Sequence, residues 1–334
     1  MAKVTGILHF RLKILMILMV MSLFSGCMKY PVVPTDQAPL SDKLWQAEIN
    51  GPNEFRTALS QASLGFISHE DYPDIPVRVF GAEGEKEPVI FTHGLQSHSG
   101  WFVQSAAFLA DLGHPVYVMD RMGSGLSRAQ RGDVKDFHQW AREIEVVASF
   151  ARERHRSDRF YLVGHCFGAI PATVYAYMFP DNLKGLILST PAIYTRTSIP
   201  FGDMIRIFLS RSGARNFLVP VTLEPESFTE LPEYQEFVRS DQLSLKAATG
   251  DFYYQVYKAR KYITGNPDLL QAPLLMVIAG EDPICDNERN RRFFDKVSAL
   301  DKHLDEFTDA RHILEFSPEK DAFFATVSNW LKSR

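Results

Sequence analysis

Short apolar runs alternate with amphipathic stretches along most of the chain. Val77–Phe80, Pro88–Thr92, Pro115–Met119, Phe160–Val163, Leu183–Ser189 and Pro273–Ala279 read as strands. Several are apolar on both faces, which predicts parallel strands covered on either side. Between them, Phe137 to Arg154 sets Trp140, Ile144, Val147 and Ala151 on one helical stripe, with Arg142, Glu143 and Glu145 elsewhere. Strand alternating with helix predicts an α/β architecture with a mostly parallel sheet. From Ala192 to Pro267 the rhythm breaks. No clear strand is visible there, and Phe201, Met204, Ile205, Phe208 and Leu209 form an amphipathic piece. An insertion of this kind predicts a helical lid over the sheet; its plainer reading is a helical packing layer.

The first residues follow a different rule. Lys3, Arg11 and Lys13 precede an apolar run from Ile14 to Phe24 in which Ser22 alone is polar. A membrane-spanning helix needs roughly 20 apolar residues, so this run is too short. A positive start, a short apolar centre and small residues at its end describe a signal for export. Ser25-Gly26-Cys27 resembles a bacterial lipoprotein cleavage site, with Cys27 as the lipidated residue and Phe24 a departure from the usual pattern. The expectation is an exported protein anchored on the periplasmic or extracellular side of a bacterial membrane, with secretion as a soluble protein the alternative. Pro31, Pro34 and Pro39 then mark residues 27–44 as an extended tether. Residues 1–26 are the expected signal peptide, and the folded domain is expected to begin near Trp45.

Composition narrows the function without naming it. The 334 residues carry 36 basic and 40 acidic side chains, a formal charge of −4. Loss of the first 26 residues removes Lys3, Arg11 and Lys13 and no acid, leaving −7. Nothing in this balance suggests a nucleic-acid partner, and membrane attachment must come from acyl chains rather than charge. Three cysteines are too few for a disulfide scaffold.

The chemistry sits in Gly164-His165-Cys166-Phe167-Gly168, between an apolar strand and a helical pattern that runs through Tyr177. Strand, Gly-x-Cys-x-Gly, helix is the pattern of a nucleophile elbow with cysteine in the place of serine. The nucleophile sits on a sharp turn, so Gly164 and Gly168 supply room on either side of it. The helix dipole there favours a thiolate. Upstream, a strand runs into His93-Gly94-Leu95-Gln96-Ser97-His98-Ser99-Gly100. The backbone N–H groups of Leu95 and Phe167 are the candidates to hold the negative oxygen of a tetrahedral intermediate.

His93–Gly100, the stretch Asp120-Arg121-Met122-Gly123-Ser124-Gly125-Leu126-Ser127 and the elbow together resemble the monoacylglycerol lipase and lysophospholipase branch of the α/β-hydrolase superfamily. The resemblance runs from about Phe66 to the carboxyl end. It implies an α/β-hydrolase core in two parts, residues 45–191 and 268–334, with the lid at 192–267 between them. Its triad order is nucleophile, acid, histidine. Asp282 follows the strand after the lid and matches the acid; Asp286 is better placed to cap the next helix, and Glu281 is a weaker rival. Only His303 and His312 follow Asp282. His303 belongs to the start of the last strand, so His312, in the loop after it, is the expected base. His165 is expected to point away from the site and to be structural, and His93 and His98 to line its mouth. His93 and His98 fall in no metal-ligand pattern, so neither metal nor cofactor is expected.

Cysteine changes the expected reaction. A thiolate leaves a tetrahedral adduct more easily than an alkoxide, so an ordinary ester adduct tends to collapse backwards. Three readings stand: a hydrolase of a lipid-like ester or thioester, an acyltransferase using the same acyl-cysteine, and a non-enzymatic surface lipoprotein on a hydrolase scaffold. Cys285, three residues after Asp282, is expected to be a free neighbour of the site and not a bond partner of Cys166.

Overall fold

A computed structural model of the chain describes residues 51–196, 202, 204, 207 and 217–334. The expected signal peptide and tether, with Cys27 and Trp45, lie outside the described residues, as do Phe201, Ile205, Phe208 and Leu209. Among the described residues no helix is long and apolar enough to cross a membrane.

The chain enters through helix α1 (Asn53–Ser60) and a hairpin of β1 (Ser63–His69) and β2 (Tyr72–Phe80). Strands β3 (Val89–Thr92) and β4 (Val116–Met119) flank helix α2 (Val103–Asp111). Helix α3 (His138–His155) leads to β5 (Phe160–His165), helix α4 (Ala169–Met178) and β6 (Leu183–Ser189). Eight strands form one sheet in the order β1-β2-β4-β3-β5-β6-β9-β10. Its last two strands are β9 (Leu274–Ala279) and β10 (Lys302–Phe307). Only β2 runs against its neighbours; all other pairs are parallel. Every residue of β3, β4, β5 and β9 is buried, as parallel strands with helices on both faces require. The two faces are distinct in their partners: α1 and α8 (Lys320–Lys332) pack on α2, whereas α3 packs on α4. This is the α/β-hydrolase architecture.

The six expected strands and the last strand expected at His303 are all present, but β1 adds an eighth that the pattern hides. Only Ile67 of its seven residues is buried. An edge strand with one inward residue leaves almost no alternation to read. The expectation of no strand between Ala192 and Pro267 is also corrected. Strands β7 (Leu218–Pro220) and β8 (Ala247–Thr249) pair antiparallel in a separate two-stranded sheet. Three residues each, one of them proline, are too few to show a period. Around them this region carries helices α5 (Pro232–Ser240) and α6 (Gly250–Gly265), and α6 packs on α4 beside the elbow. Helix α7 (Asn287–Lys296) starts where expected, capped by the Asp286 carboxylate, which accepts the Arg289 N–H at 3.0 Å.

Candidate active site

Cys166 follows the last residue of β5 with φ of +53°, a left-handed backbone on a residue that has a Cβ. Such a conformation is uncommon outside glycine and persists only where its surroundings impose it. Here the surroundings are tight on both sides. A Cβ on Gly164 would fall 2.7 Å from the Gly168 carbonyl oxygen and 2.8 Å from Ala172 Cβ, and one on Gly168 would collide with the Thr92 carbonyl. The strand therefore passes straight into a 3-10 turn, Cys166–Gly168, and then α4. Cys166 is 5% exposed.

The acid and the base meet across two loops. Asp282 follows β9 and His312 follows β10, neighbours at the same end of the sheet. His312 Nδ1 lies 2.8 Å from Asp282 Oδ2. Asp282 Oδ1 accepts the N–H groups of Ile284 at 2.8 Å and Cys285 at 3.0 Å, which fixes the carboxylate. Both residues are fully buried. Burial works to discharge His312, but the Asp282 carboxylate outweighs it, through its charge and its hydrogen bond, and holds the imidazolium well above its usual range. Burial likewise pushes Asp282 up, yet His312 and the two amides bring it below its usual range. His312 Nε2 is buried with no hydrogen-bond partner among the described residues. No hydrogen bond joins it to Cys166, so the structure brings the expected acid and base together and leaves the expected nucleophile without a hydrogen bond to them.

The other expected residues divide. His303 lies on β10 at the edge, exposed and paired with Asp301, far from this chemistry. Asp286 is a helix cap and Glu281 is exposed. His165 is buried, but it does not leave the site: its ring centre lies 5.2 Å from that of His312, and its Nδ1 meets the Ser189 and Thr190 hydroxyls. His93 and His98 do not line a mouth; both are fully buried. His93 Nδ1 lies 2.8 Å from the Gly94 carbonyl oxygen and its Nε2 accepts the Arg121 N–H. His98 Nε2 lies 3.1 Å from Asp241 Oδ2, and its Nδ1 caps the 3-10 turn at Gly100. They are buried because the loop they sit on is roofed by the residues around Asp241, which also takes Trp101 Nε1 at 2.6 Å and the Ser244 hydroxyl at 2.8 Å. Leu245 N–H to Gln96 O, 2.9 Å, completes that seam.

Residues 84–319 match the serine aminopeptidase S33 family. The chain belongs to that family. It is 22% identical over 295 residues to the human monoglyceride lipase, covering 86% of this chain and 96% of that one. It is 24% identical over 253 residues to an abhydrolase domain-containing protein of Dictyostelium discoideum, covering 74% of this chain but spanning only 26% of that longer protein. The crystal structure of the Paleococcus ferrophilus monoacylglycerol lipase superposes with a TM-score of 0.71 at 24% identity, covering 78% of this chain and 98% of that one.

Within this S33 fold, a cysteine stands at the elbow and a second one stands close by. Both Cys166 and Cys285 are free thiols. Cys285 Sγ lies 3.2 Å from the Thr190 carbonyl oxygen and 3.9 Å from His312 Nδ1. The ligand atoms of Asp282, Cys285 and His312 lie within 4.8 Å of one another, close enough to share a metal ion. The hydrogen bonds just described already use all three. Sequence reasoning gave no role to Asp120, Arg121, Glu143 or Asp241. Asp120 accepts the N–H groups of Ser99 at 2.6 Å and Leu126 at 2.8 Å, tying the Leu95 loop to the glycine turn. For Asp120 and Arg121 the signal was present, since they open the stretch that carried the resemblance, but Asp241 meets His98 and Trp101 from 140 or more positions later in the chain.

Proposed function

We propose that the protein cleaves a lipid-like acyl ester or thioester, of the monoacylglycerol or lysophospholipid kind, by way of an acyl-cysteine at Cys166. The protein is an ester-hydrolysing enzyme of the α/β-hydrolase fold; the nucleophile, the triad and the substrate are the added steps. One observation carries them: His312, anchored at Nδ1 by Asp282, keeps a buried and unpartnered Nε2 in the loop next to a left-handed Cys166. That nitrogen takes the thiol proton and, as the imidazolium that the Asp282 charge favours, keeps it while sulfur attacks the acyl carbon. The oxyanion is held by the Leu95 and Phe167 amides. Collapse breaks the ester bond, and the proton on Nε2 passes to the leaving oxygen. Water then attacks the thioester while His312 takes its proton, and the thiol leaves with that proton restored.

Names among the relatives that carry monoglyceride lipase activity support a monoacylglycerol as the first substrate to try. Acyl transfer is the second reading, favoured by sulfur at the elbow of a family described by its serine. The test compares wild type, Cys166→Ala and Cys166→Ser on monoacylglycerols, lysophospholipids and thioesters, with and without amine or alcohol acceptors. Full turnover by Cys166→Ala would remove the nucleophile. Product formed on the acceptor faster than on water would favour transfer. The same proposal places the mature protein on a membrane through acyl chains on Cys27; Cys27→Ala is expected to move it to the soluble fraction, and an unchanged membrane fraction would remove the anchor.

A further inference from the structure

The oxyanion reading needs two backbone N–H groups aimed at one spot, and a single buried side chain touches the supports of both. Arg121 is 1% exposed. Its Nη2 donates to the Gly94 carbonyl oxygen at 2.7 Å and lies 3.3 Å from that of Leu95. Its guanidinium carbon stands 4.6 Å over the centre of the Phe167 ring. The Gly94 carbonyl and the Leu95 N–H are opposite ends of one planar trans peptide. Pinning the oxygen therefore sets the direction of the N–H. No acceptor among the described residues takes that N–H. The other proposed donor belongs to Phe167 itself, whose ring lies under the same guanidinium.

The arrangement is costly for a residue that merely fills space. A charge taken this fully out of water costs several kcal/mol unless opposite charge returns it. Arg121 Nε and Nη1 have no hydrogen-bond partner among the described residues. Burial draws its pKa down to about 10, against the pull of Glu143, Asp120 and a charge on Cys166. Glu143 holds the next residue, accepting the Met122 N–H at 2.9 Å.

We propose that Arg121 is the positioning residue of the oxyanion hole: it locks the Gly94–Leu95 peptide and the Phe167 ring together and sets a fixed positive charge behind the oxygen that turns negative. The inference rests on Cys166 as nucleophile. It is tested with a trifluoromethyl ketone carrying the acyl chain, and with the matching secondary alcohol. The ketone reacts reversibly: the sulfur–carbon bond forms, the carbonyl oxygen becomes the oxyanion, and the thiol proton moves to His312. The alcohol forms no oxyanion. Arg121→Gln, which keeps an amide donor without the charge, is expected to lower kcat on a short-chain monoacylglycerol by about 10²-fold, with KM changed less than about threefold. It should weaken the ketone by a similar factor and leave the alcohol unchanged. Arg121→Lys should recover about tenfold, and Phe167→Leu, which removes the ring and keeps the amide, should lose about tenfold. Equal weakening of ketone and alcohol, or an unchanged kcat, would overturn the inference. If Arg121→Gln does not fold, the Lys and Leu variants carry the same two-ligand comparison. Ketone affinity that survives Cys166→Ala removes the nucleophile reading and this inference with it, whereas Cys166-dependent affinity that survives Arg121→Gln removes the inference alone.

Discussion

The two flanks of Cys166 are built on opposite plans. On the acid–base flank, both oxygens of Asp282 are occupied, one by two amides and one by an imidazole. Among the described residues that leaves the Asp282–His312 pair a single idle polar atom, His312 Nε2. On the oxyanion flank idle atoms are common: Ser97, Ser99 and Ser124 hydroxyls, two nitrogens of Arg121 and one oxygen of Glu143 are all buried without a partner among the described residues. The first flank concentrates its polarity on one proton path. The second holds backbone in place with a frame of charges and turns, and its side chains need not react. Damage to the first should therefore fall on the chemical step, and damage to the second on geometry.

The largest expected effect is on the first flank. His312→Ala and Asp282→Asn should each lower kcat by about 10³ to 10⁴-fold, because one removes the base and the other its anchor and tautomer. Steady-state kinetics on a monoacylglycerol check this, and a loss below tenfold in either variant would break the contrast. Next come the glycines of the second flank. Gly168→Ala drives a Cβ into the Thr92 carbonyl and should cost about 3 kcal/mol of stability or more, measured by denaturant unfolding. Gly94→Ala brings a Cβ to 3.0 Å from Ser97 Oγ, 3.3 Å from Cys166 Cβ and 3.7 Å from Cys166 Sγ, milder contacts than those at Gly168. It should fold, and lose about 10²-fold in kcat through misplacement of the Leu95 amide. Equal damage to folding from both would deny that Gly94 serves the site.

The same contrast explains what the sequence could reveal. The acid–base flank is ordered along the chain: an acid follows β9, a base follows β10, and counting leaves only two histidines after Asp282. The elbow, the buried central strands and the Asp286 cap are legible for the same reason, since each is a pattern within a dozen residues. The oxyanion flank is assembled from far positions. Asp241 reaches His98 and Trp101 from a segment whose pattern shows only helices, and Arg121 reaches back to Gly94 and forward to Phe167, which lie far from it and from each other along the chain. Periodicity reports which face is buried, not which buried charge meets which carbonyl. That is why His93 and His98 read as mouth residues and are instead sealed inside.

A smaller effect tests whether charge or shape holds the acid–base flank to the core. Glu315, three residues after His312, accepts the Ser105 N–H at 2.7 Å, and its other oxygen is buried and unpartnered. Burial raises its pKa to about 8, against the Ser105 bonds and Lys320. The folded protein thus holds this proton more tightly than the unfolded chain does. The stability it contributes is whole below the unfolded value near 4.5 and is lost as pH rises toward about 8. Glu315→Gln keeps an acceptor for Ser105 and has no charge to bury. Its stability relative to wild type should improve between pH 5 and pH 9, by on the order of 3 kcal/mol. Melting temperatures across that range check it, and a gap that does not change with pH would show that Glu315 is hydrated and titrates in the folded protein as it does in the unfolded chain.

The smallest expected effect separates the two sulfurs. Cys285 is fully buried beside the triad pair, and burial together with the Asp282 charge pushes its thiol well above the ordinary range. It is therefore a neutral donor to the Thr190 carbonyl, a residue itself held at a φ of +41°. Cys285→Ala removes one sulfur and one weak hydrogen bond, which should cost about 1–2 kcal/mol of stability. Because His312 Nδ1 already has Asp282, kcat/KM should stay within about threefold of wild type, whereas Cys166→Ala should leave no turnover. A loss beyond 10²-fold in folded Cys285→Ala would mean that the two thiols act as a pair, and that the acid–base flank depends on more than one carboxylate and one imidazole.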